Sequence, residues 1–489
     1  MENLLTDPLE RYCTRTLSTK SSLFNEKVIY PQGYNLSDED IKSRNTISPP
    51  DTIIVADKII PHHILVDVNQ YEILLTALQD ITTNAGEAAK QAYNEFSRLP
   101  KPFMNISAIR LANIMESNGI TYSQYGSLRK KSNHVFNFID LGGAPGGFSQ
   151  YLMWKYPHSR GLGVSISSGL KWQCKNLHMD RLKLWTHETE KTGDLLHEWD
   201  EIGPFAAKTY GVPGRDYGLD LAIGGITPEL GKDRIPKNEE FIAALVLSEC
   251  IVALNSLRKG GNFILQVYDT VTEFSSDVLY LLHLVFAEVV IFRPVTVPKY
   301  SAEKYIVCKK YIGPDESANV RDVMTKNMQF INKQMSIDNI TGLNINTPIR
   351  VPNRLISDKI PDGFIKYMRK INDANLNIML GATTSILDKI INLIEGLQEI
   401  DVNDDNAVML ALDRMTHADI KSRMPVNHEY NINRALVYLN LPEVQVYSVP
   451  SYAYPAYEGD VLPTSEDEKI RLGAMTCGSL PCVKGKCPM

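Results

Sequence analysis

Residues 135–152 read VFNFIDLGGAPGGFSQYL and contain an apolar run, one carboxylate, a glycine-rich loop and an amphipathic segment. This order predicts a buried strand, a tight turn and the start of a helix. Four glycines lie within the six residues 142–147, shortly after Asp140. Because glycine has no Cβ to block a close approach, they predict a loop that holds a nucleotide-like ligand. An ordinary strand-to-helix turn is the alternative.

The spacing of the glycines separates two classes of ligand. A dinucleotide fold has G-x-G-x-x-G, whereas here two glycine pairs flank Ala144-Pro145. The motif D-L-G-G-A-P-G-G-F-S resembles the first motif of methyltransferases that use S-adenosyl-L-methionine (SAM), and more narrowly that of FtsJ-like RNA 2'-O-methyltransferases. The resemblance implies that SAM contacts Asp140, Gly142, Gly143, Ala144, Pro145, Gly146, Gly147, Phe148 and Ser149. It also implies an adenine contact from Asp194 of Gly193-Asp194, a dipeptide that could equally be a simple turn.

Composition sets the broad class of the protein. With 489 residues, 44% hydrophobic and 22% charged, the chain has the make-up of a globular protein of two or three domains. A net charge of −6 excludes a global basic field for nucleic acid, although a local groove can still be positive. Seven scattered cysteines, an odd number, predict reduced thiols and an intracellular protein, cytoplasmic or nuclear. No signal peptide is predicted, because residues 1–8 have no basic region followed by an apolar core. No membrane span is predicted, because the longest apolar run, 278–292, is too short.

Breaks in the pattern divide the chain into four parts. Residues 1–100 form an extension with a short strand at 52–55 and a helix from about Tyr71 to Arg98, and Pro100 and Pro102 then mark a boundary. Residues 101–312 form an α/β domain, 313–445 an accessory helical domain, and 446–489 a flexible tail. The tail ends in Cys477, Cys482 and Cys487, which lack a fourth ligand nearby, so no metal site is predicted.

The α/β domain alternates apolar runs with helical patterns, which predicts a parallel, Rossmann-like sheet with helices on both faces. The predicted strands are 136–140, 160–166, 219–223, 262–267, 288–292 and 304–309, and the predicted helices are 106–117, 147–155, 239–257 and 275–286. Four further helices follow at 316–335, 364–380, 385–400 and 406–423. The loops after Asp140, Ile166, Ile223 and Val267 should converge at the carboxyl edge of the sheet, where such folds bind ligands.

Further segments of the sequence make the resemblance more specific. Residues 105–113, 253–264, 293–296 and 301–307 are similar to blocks of the cap-specific mRNA 2'-O-methyltransferases. That family uses a Lys-Asp-Lys-Glu tetrad, in which one lysine takes or steers the proton of the ribose 2'-hydroxyl. The equivalent positions here are Arg110, Ile223, Gln266 and Glu303, and only Glu303 matches. A shift of two residues would give Gly225 the aspartate position, and glycine is not a carboxylate either.

The altered tetrad predicts weak or absent catalysis. An amide such as that of Gln266 neither holds nor releases a proton near neutral pH, and arginine stays protonated. One positive and one negative group are missing together, which avoids an unpaired buried charge. The remaining Arg110 and Glu303 are therefore predicted to form a salt bridge.

Three functions stay open on this sequence. The first is a degenerate methyltransferase that binds SAM and acts through RNA, capped mRNA by resemblance, or through proteins docked on its C-terminal helices. The second is an active RNA methyltransferase with other catalytic residues, for which the candidates are Lys232, Lys259, Lys299 and Lys304. The third is an interaction module without a ligand. Local basic residues that could contact RNA are Arg129, Lys130, Lys131, Lys299, Lys304, Lys309 and Lys310, although solvated surface charges are the alternative.

Overall fold

A computed structural model describes residues 34–51, 53, 61–80, 103–120, 122, 135–156, 158–210, 218–225, 238–294, 296–340 and 349–395. Several predicted features lie outside these residues and stay predictions. They are the boundary at Pro100 and Pro102, the basic run 129–131, Lys232, the helix at 406–423, and the tail with Cys477, Cys482 and Cys487. Of the strand predicted at 52–55, only Ile53 is described, and it has no regular secondary structure.

A seven-stranded sheet lies at the centre of the described part. Its strands are β1 Phe136–Leu141, β2 Ser159–Val164, β3 Leu182–Leu184, β4 Leu219–Gly224, β5 Leu257–Val267, β6 Phe286–Phe292 and β7 Lys304–Tyr311. Their order across the sheet is β3-β2-β1-β4-β5-β7-β6. The order changes direction between β1 and β4, and ligands of open α/β sheets bind at the carboxyl ends of the strands beside such a switch. The predicted Rossmann-like sheet is confirmed.

The last strand departs from the predicted parallel sheet. β1, β2, β3, β4 and β5 pair in parallel, but β7 pairs antiparallel with both β5 and β6. A parallel return needs a long crossover, usually a helix. The connection from Phe292 to Lys304 has no helix in its described residues, so the chain turns back and inserts between β5 and β6.

The helices of the described part are α1 Asp38–Ser43, α2 Val68–Asp80, α3 Ile106–Ser117, α4 Gly147–Lys155, α5 Trp185–Thr189, α6 Leu195–Tyr210, α7 Asn238–Ser256, α8 Glu273–Val285, α9 Ala318–Ile340 and α10 Asp362–Glu395. Both α3 and α4 begin and end where the sequence predicted. Asn105 starts α3, because its side chain accepts a hydrogen bond from the amide of Ser107. The helix predicted from Tyr71 is α2, and its predicted continuation beyond Asp80 lies outside the described residues.

Helix α6, strand β3 and the short helices α1 and α5 were not predicted from the sequence. Gly203-Pro204 in the middle of α6 has the composition of a turn, yet the helix continues through it. Gly203 lies against α7, where an added Cβ would be 2.8 Å from Cβ of Asn255. Packing against α7 therefore outweighs the local turn signal. β3 has three residues, which is too short for a recognisable pattern.

The sheet separates two hydrophobic clusters. On the first face, α3 and α4 pack against β1 through Leu111, Leu152 and Phe138. On the second face, the core includes Phe263 of β5 together with residues of α2, α7, α8, α9 and α10. Helices from both ends of the chain thus share one core with the second face. The division into an N-terminal extension and a helical accessory domain stays a prediction.

Helix α8 carries the polar contacts between the second face and the chain ends. Asp277 is fully buried and accepts from Nε of Arg354 at 2.9 Å and from the amide of Leu355 at 2.7 Å. Tyr280 donates to Asp40 at 3.0 Å. These contacts join α8 to residues that precede and follow the α/β domain, and they satisfy polar groups that would otherwise be buried without partners.

The helices after residue 314 differ from the prediction in number. The helix predicted at 316–335 is α9, but those predicted at 364–380 and 385–400 are the single helix α10 as far as Glu395. Nothing lies within 4 Å of a Cβ added at Gly381, and a helix tolerates an isolated glycine at about 1 kcal/mol. Among the helices of the described residues, none has the length and apolar character needed to cross a membrane.

Candidate functional site

The glycine loop, residues 142–147, joins the carboxyl end of β1 to α4. Gly142 and Gly146 have φ angles of 68° and 116°, in the left-handed region that favours glycine. The amides of Gly142 and Gly143 donate to the carbonyl of Val164 at 2.8 and 3.2 Å, and the amide of Gly225 donates to that of Leu141 at 3.0 Å. The loops after β1, β2 and β4 therefore meet at one edge, as predicted.

Side chains of the protein fill the space beside three of the glycines. A Cβ at Gly143 would be 2.6 Å from the ring of Trp172, and a Cβ at Gly146 would be 2.7 Å from Leu177. A Cβ at Gly147 would be 1.9 Å from Oδ1 of Asn105. At these three positions a Cβ would therefore meet the protein itself, and contact of the three glycines with SAM stays a prediction. The half-buried stretch 142–145, which includes the cis Ala144–Pro145 peptide, is the part of the loop open to a ligand.

Asp140 lies under the loop, and hydrogen bonds from the described residues reach one of its two carboxylate oxygens. Its Oδ2 accepts from the hydroxyl of Ser149 at 2.6 Å and from the amide of Ser149 at 3.1 Å. Its Oδ1 is buried and has no hydrogen-bond partner among the described residues. Burial raises the pKa of Asp140 to about 7, although the bonds from Ser149 oppose the shift. A cationic group could pair with Oδ1 and stabilise the ionised form.

Asp194 is held by its own helix. The amide of Leu196 donates to Oδ1 at 3.0 Å, and Nδ1 of His197 lies 2.8 Å from Oδ2. The turn at Gly193 is close-packed, because an added Cβ would be 2.3 Å from the carbonyl oxygen of Ser165. Asp194 thus caps α6 and lies beside the carboxyl end of β2. Strand β2 is the neighbour of β1, which precedes the glycine loop. Its contact with an adenine stays a prediction.

The predicted salt bridge between Arg110 and Glu303 is confirmed. Nη1 of Arg110 lies 2.9 Å from Oε1 of Glu303, and the hydroxyl of Tyr305 donates to the same oxygen at 2.8 Å. The two charged side chains are only 15% and 7% exposed. Burial lowers the pKa of Arg110, but Glu303 and the nearby tyrosines raise it by more, so the guanidinium stays charged.

The other two tetrad positions hold no group that can move a proton. Gln266 is buried beside β7, and its Nε2 is 3.4 Å from the hydroxyl oxygen of Tyr268. Ile223 is fully buried in the core and pairs with Ile264, two residues before Gln266. A Cβ at Gly225 would be 3.5 Å from Oε1 of Gln266 and 2.8 Å from Phe148. Gly225 is therefore the residue of β4 and its loop that lies beside the amide.

Among the lysines named as replacements, Lys304 does not fill this gap. In the strand ladder Tyr305 is opposite Gln266, whereas Lys304 is opposite Val267 and points to the second face. Lys304 is 1% exposed, which corrects its assignment as a surface charge, and its ammonium donates to the carbonyl of Tyr268. Burial lowers the pKa of Lys304 to about 8.

Lys259, Lys299, Lys309 and Lys310, the other named basic residues that the structure describes, lie on or near the surface. Lys259 pairs with Glu316 near the amino end of β5. Lys309 pairs with Glu288 and Lys310 is exposed. Lys299 is half-buried in the connection between β6 and β7. Within the described ranges, no three His, Cys, Asp or Glu side chains are grouped closely enough to hold a metal ion.

Comparisons with known proteins relate part of this chain to methyltransferases. Residues 107–311 match the model of the FtsJ-like methyltransferase family. The chain is 26% identical over 304 residues to cap-specific mRNA (nucleoside-2'-O-)-methyltransferase 1 of Bos taurus, which covers 58% of this chain and 34% of the relative. The relative of the same description from Dictyostelium discoideum is 24% identical over 341 residues, which covers 64% of this chain and 44% of that protein. The chain thus spans less than half the length of either relative.

A solved structure of a ribosomal RNA methyltransferase from Plasmodium falciparum is also similar, with 15% identity and a TM-score of 0.31. The match covers 43% of this chain and 100% of that chain.

FtsJ-like methyltransferases use SAM, which carries an α-ammonium group. The buried, unpartnered Oδ1 of Asp140 and the open stretch 142–145 fit such a ligand. On the family match and the sheet that carries it, residues 107–311 form an FtsJ-like methyltransferase domain.

Proposed function

We propose that this protein binds SAM and RNA but does not transfer a methyl group by the tetrad chemistry of its relatives. The observation that carries the proposal is the pairing of Arg110 with Glu303 beside Gln266 and Gly225, at the place where an ammonium and a second carboxylate would be needed. RNA is the proposed partner because the relatives are named as mRNA methyltransferases. Protein partners on the C-terminal helices, and an intracellular site of action, are further parts of this proposal.

The charges of the site support the loss of catalysis. Glu303 is the one group among the four positions that could accept a proton, and its Oε1 already accepts from Arg110 and Tyr305. Burial raises the pKa of Tyr305 well above its ordinary value, so its phenol stays protonated. Loss of general-base assistance costs about a hundredfold to ten-thousandfold in rate.

Methyl transfer is tested with the full-length chain, tritium-labelled SAM and capped RNA. We expect a rate at least about a hundredfold below that of the Bos taurus relative in the same assay. Calorimetry on the same sample should still show SAM binding in the micromolar range. Clear turnover by the wild type that disappears in Gln266→Ala would contradict the proposal and favour an active enzyme. Absence of SAM binding would instead favour an interaction module without a ligand.

Binding of SAM should depend on pH through Asp140. Because the pKa of this buried carboxyl is about 7, acidification below pH 7 adds a proton and removes its attraction for the ammonium of SAM. We expect the affinity to fall by up to about tenfold for each pH unit below 7. Calorimetry at several pH values measures this slope. Asp140→Asn should bind SAM more weakly and without the slope, whereas Asp194→Asn should keep it; an unchanged slope in Asp140→Asn would exclude this role.

A further inference from the structure

Two loops border the altered tetrad. The β5–α8 loop, residues 268–272, follows Gln266, and its Tyr268 lies against that amide. The β6–β7 loop, residues 293–303, ends at Glu303, which pairs with Arg110. Because these loops flank the tetrad positions among the described residues, their spacing affects the shape of the entrance to those positions.

Helix α10 contacts both loops through two buried asparagines, each 3–4% exposed. Nδ2 of Asn372 donates to the carbonyl of Thr270 at 2.7 Å, and its Oδ1 accepts from the hydroxyl of Thr270 at 2.8 Å. Oδ1 of Asn375, one helical turn later, accepts from Nη1 of Arg293 at 2.8 Å. Nη2 of Arg293 donates in turn to the carbonyl of Pro298 at 2.6 Å. Helix α10 thereby holds the backbone of the first loop directly at Thr270 and that of the second loop through the side chain of Arg293.

The N-terminal part of the chain completes this attachment. Nδ2 of Asn372 also donates to the carbonyl of Leu65 at 3.1 Å, and the amide of His62 donates to the carbonyl of Val271 at 2.8 Å. The hydroxyl of Tyr71 in α2 donates to Asp269 at 2.9 Å. Leu65, His62, Tyr71 and Asn372 lie outside residues 107–311, which match the family model, whereas the loop residues that they hold lie inside it. The entrance is therefore held by elements added to the domain.

We propose that α10 sets the spacing of the two loops, and that Asn372 and Asn375 are positioning residues for RNA binding. This inference rests on the proposed RNA binding but makes a separate claim about what shapes the site. Neither residue touches the glycine loop in the described contacts, so SAM binding should not depend on them. The bonds of Asn372 and Asn375 are worth more than surface bonds, because their loss removes a partner from the buried carbonyl of Thr270 and from the guanidinium of Arg293, respectively.

The test uses the full-length chain with the substitutions Asn372→Ala and Asn375→Ala. Asn327→Ala is the matched control, because Asn327 is also a buried asparagine on a helix and donates to the carbonyl of Leu355 at 3.0 Å, away from both loops. Three quantities are measured: amide hydrogen exchange in residues 268–272 and 293–303, affinity for a fluorescent capped oligoribonucleotide, and SAM affinity by calorimetry.

We expect Asn372→Ala to speed exchange in the β5–α8 loop, and Asn375→Ala in the β6–β7 loop, by about tenfold or more relative to the control. RNA affinity should fall by about fivefold to tenfold in both variants, while SAM affinity stays within about twofold. Equal effects of all three substitutions on exchange or on RNA affinity would overturn the inference. If the wild type binds no RNA, the proposed RNA binding fails, and unchanged exchange rates would separately show that α10 does not hold the loops.

Discussion

Replacing Arg354 with alanine is expected to lower the free energy of unfolding by about 3–5 kcal/mol, because it leaves the carboxylate of Asp277 buried without its counter-ion. Asp277 has a fully buried side chain, whereas Arg354 is 30% exposed. Even with Arg354 in place, burial raises the pKa of Asp277 to about 6. The ion pair therefore only partly offsets the cost of removing this carboxylate from water, and the loss of its partner should be severe.

Urea unfolding at neutral pH measures this effect. Lys326→Ala is the control, because Lys326 and Asp322 form an i, i+4 pair on α9 with both side chains more than half exposed. Pairs of that kind contribute about 0.3–0.5 kcal/mol. If Arg354→Ala and Lys326→Ala cost the same, the contact of Asp277 with Arg354 would not hold the C-terminal residues against α8.

A chain shortened to residues 103–312 should not unfold as a cooperative unit. It would keep the sheet and the family match but would expose the outer side of α8, where Asp277, Tyr280 and His283 lie buried against both ends of the chain. Ile331, Leu355 and Phe364, with other apolar residues of the same cluster, would also be lost from the core. The shortened chain therefore loses burial and leaves polar groups without partners.

Thermal unfolding and circular dichroism compare this chain with one shortened to residues 34–395. The longer piece keeps every described residue and should show a single transition close to that of the full-length protein. A cooperative transition and SAM binding by residues 103–312 alone would contradict the expectation. They would favour the division into separate domains that the sequence predicted at the double proline and at residue 312.

The parts of the molecule that the sequence predicted well depend on local signals. The alternation of apolar runs and helical patterns identified every strand of the sheet except β3, and α3 and α4 begin and end where their patterns do. The pairing of Arg110 with Glu303 was predictable because two opposite charges had been lost together and two remained. Such inferences need only the residue types and their order along the chain.

The parts that could not be predicted depend on contacts between distant residues. Nothing in the sequence near Gly143 indicates that Trp172 fills the space beside it. The sequence around Lys304 is typical of an exposed lysine. In the structure, the antiparallel pairing of β7 with β5 places its side chain on the buried second face of the sheet. Asn372 lies about a hundred residues from Thr270, and no spacing rule connects them. These contacts join residues that are far apart in the chain, and no local pattern predicts them.

The place of β7 has a consequence for synthesis on the ribosome. β7 lies between β5 and β6 but follows both in the chain, so β5 has an open edge until residues 304–311 have left the exit tunnel. An unpaired apolar edge is a template for pairing with another chain. We therefore expect nascent chains paused between β6 and β7 to be the species most prone to aggregation and most dependent on chaperones.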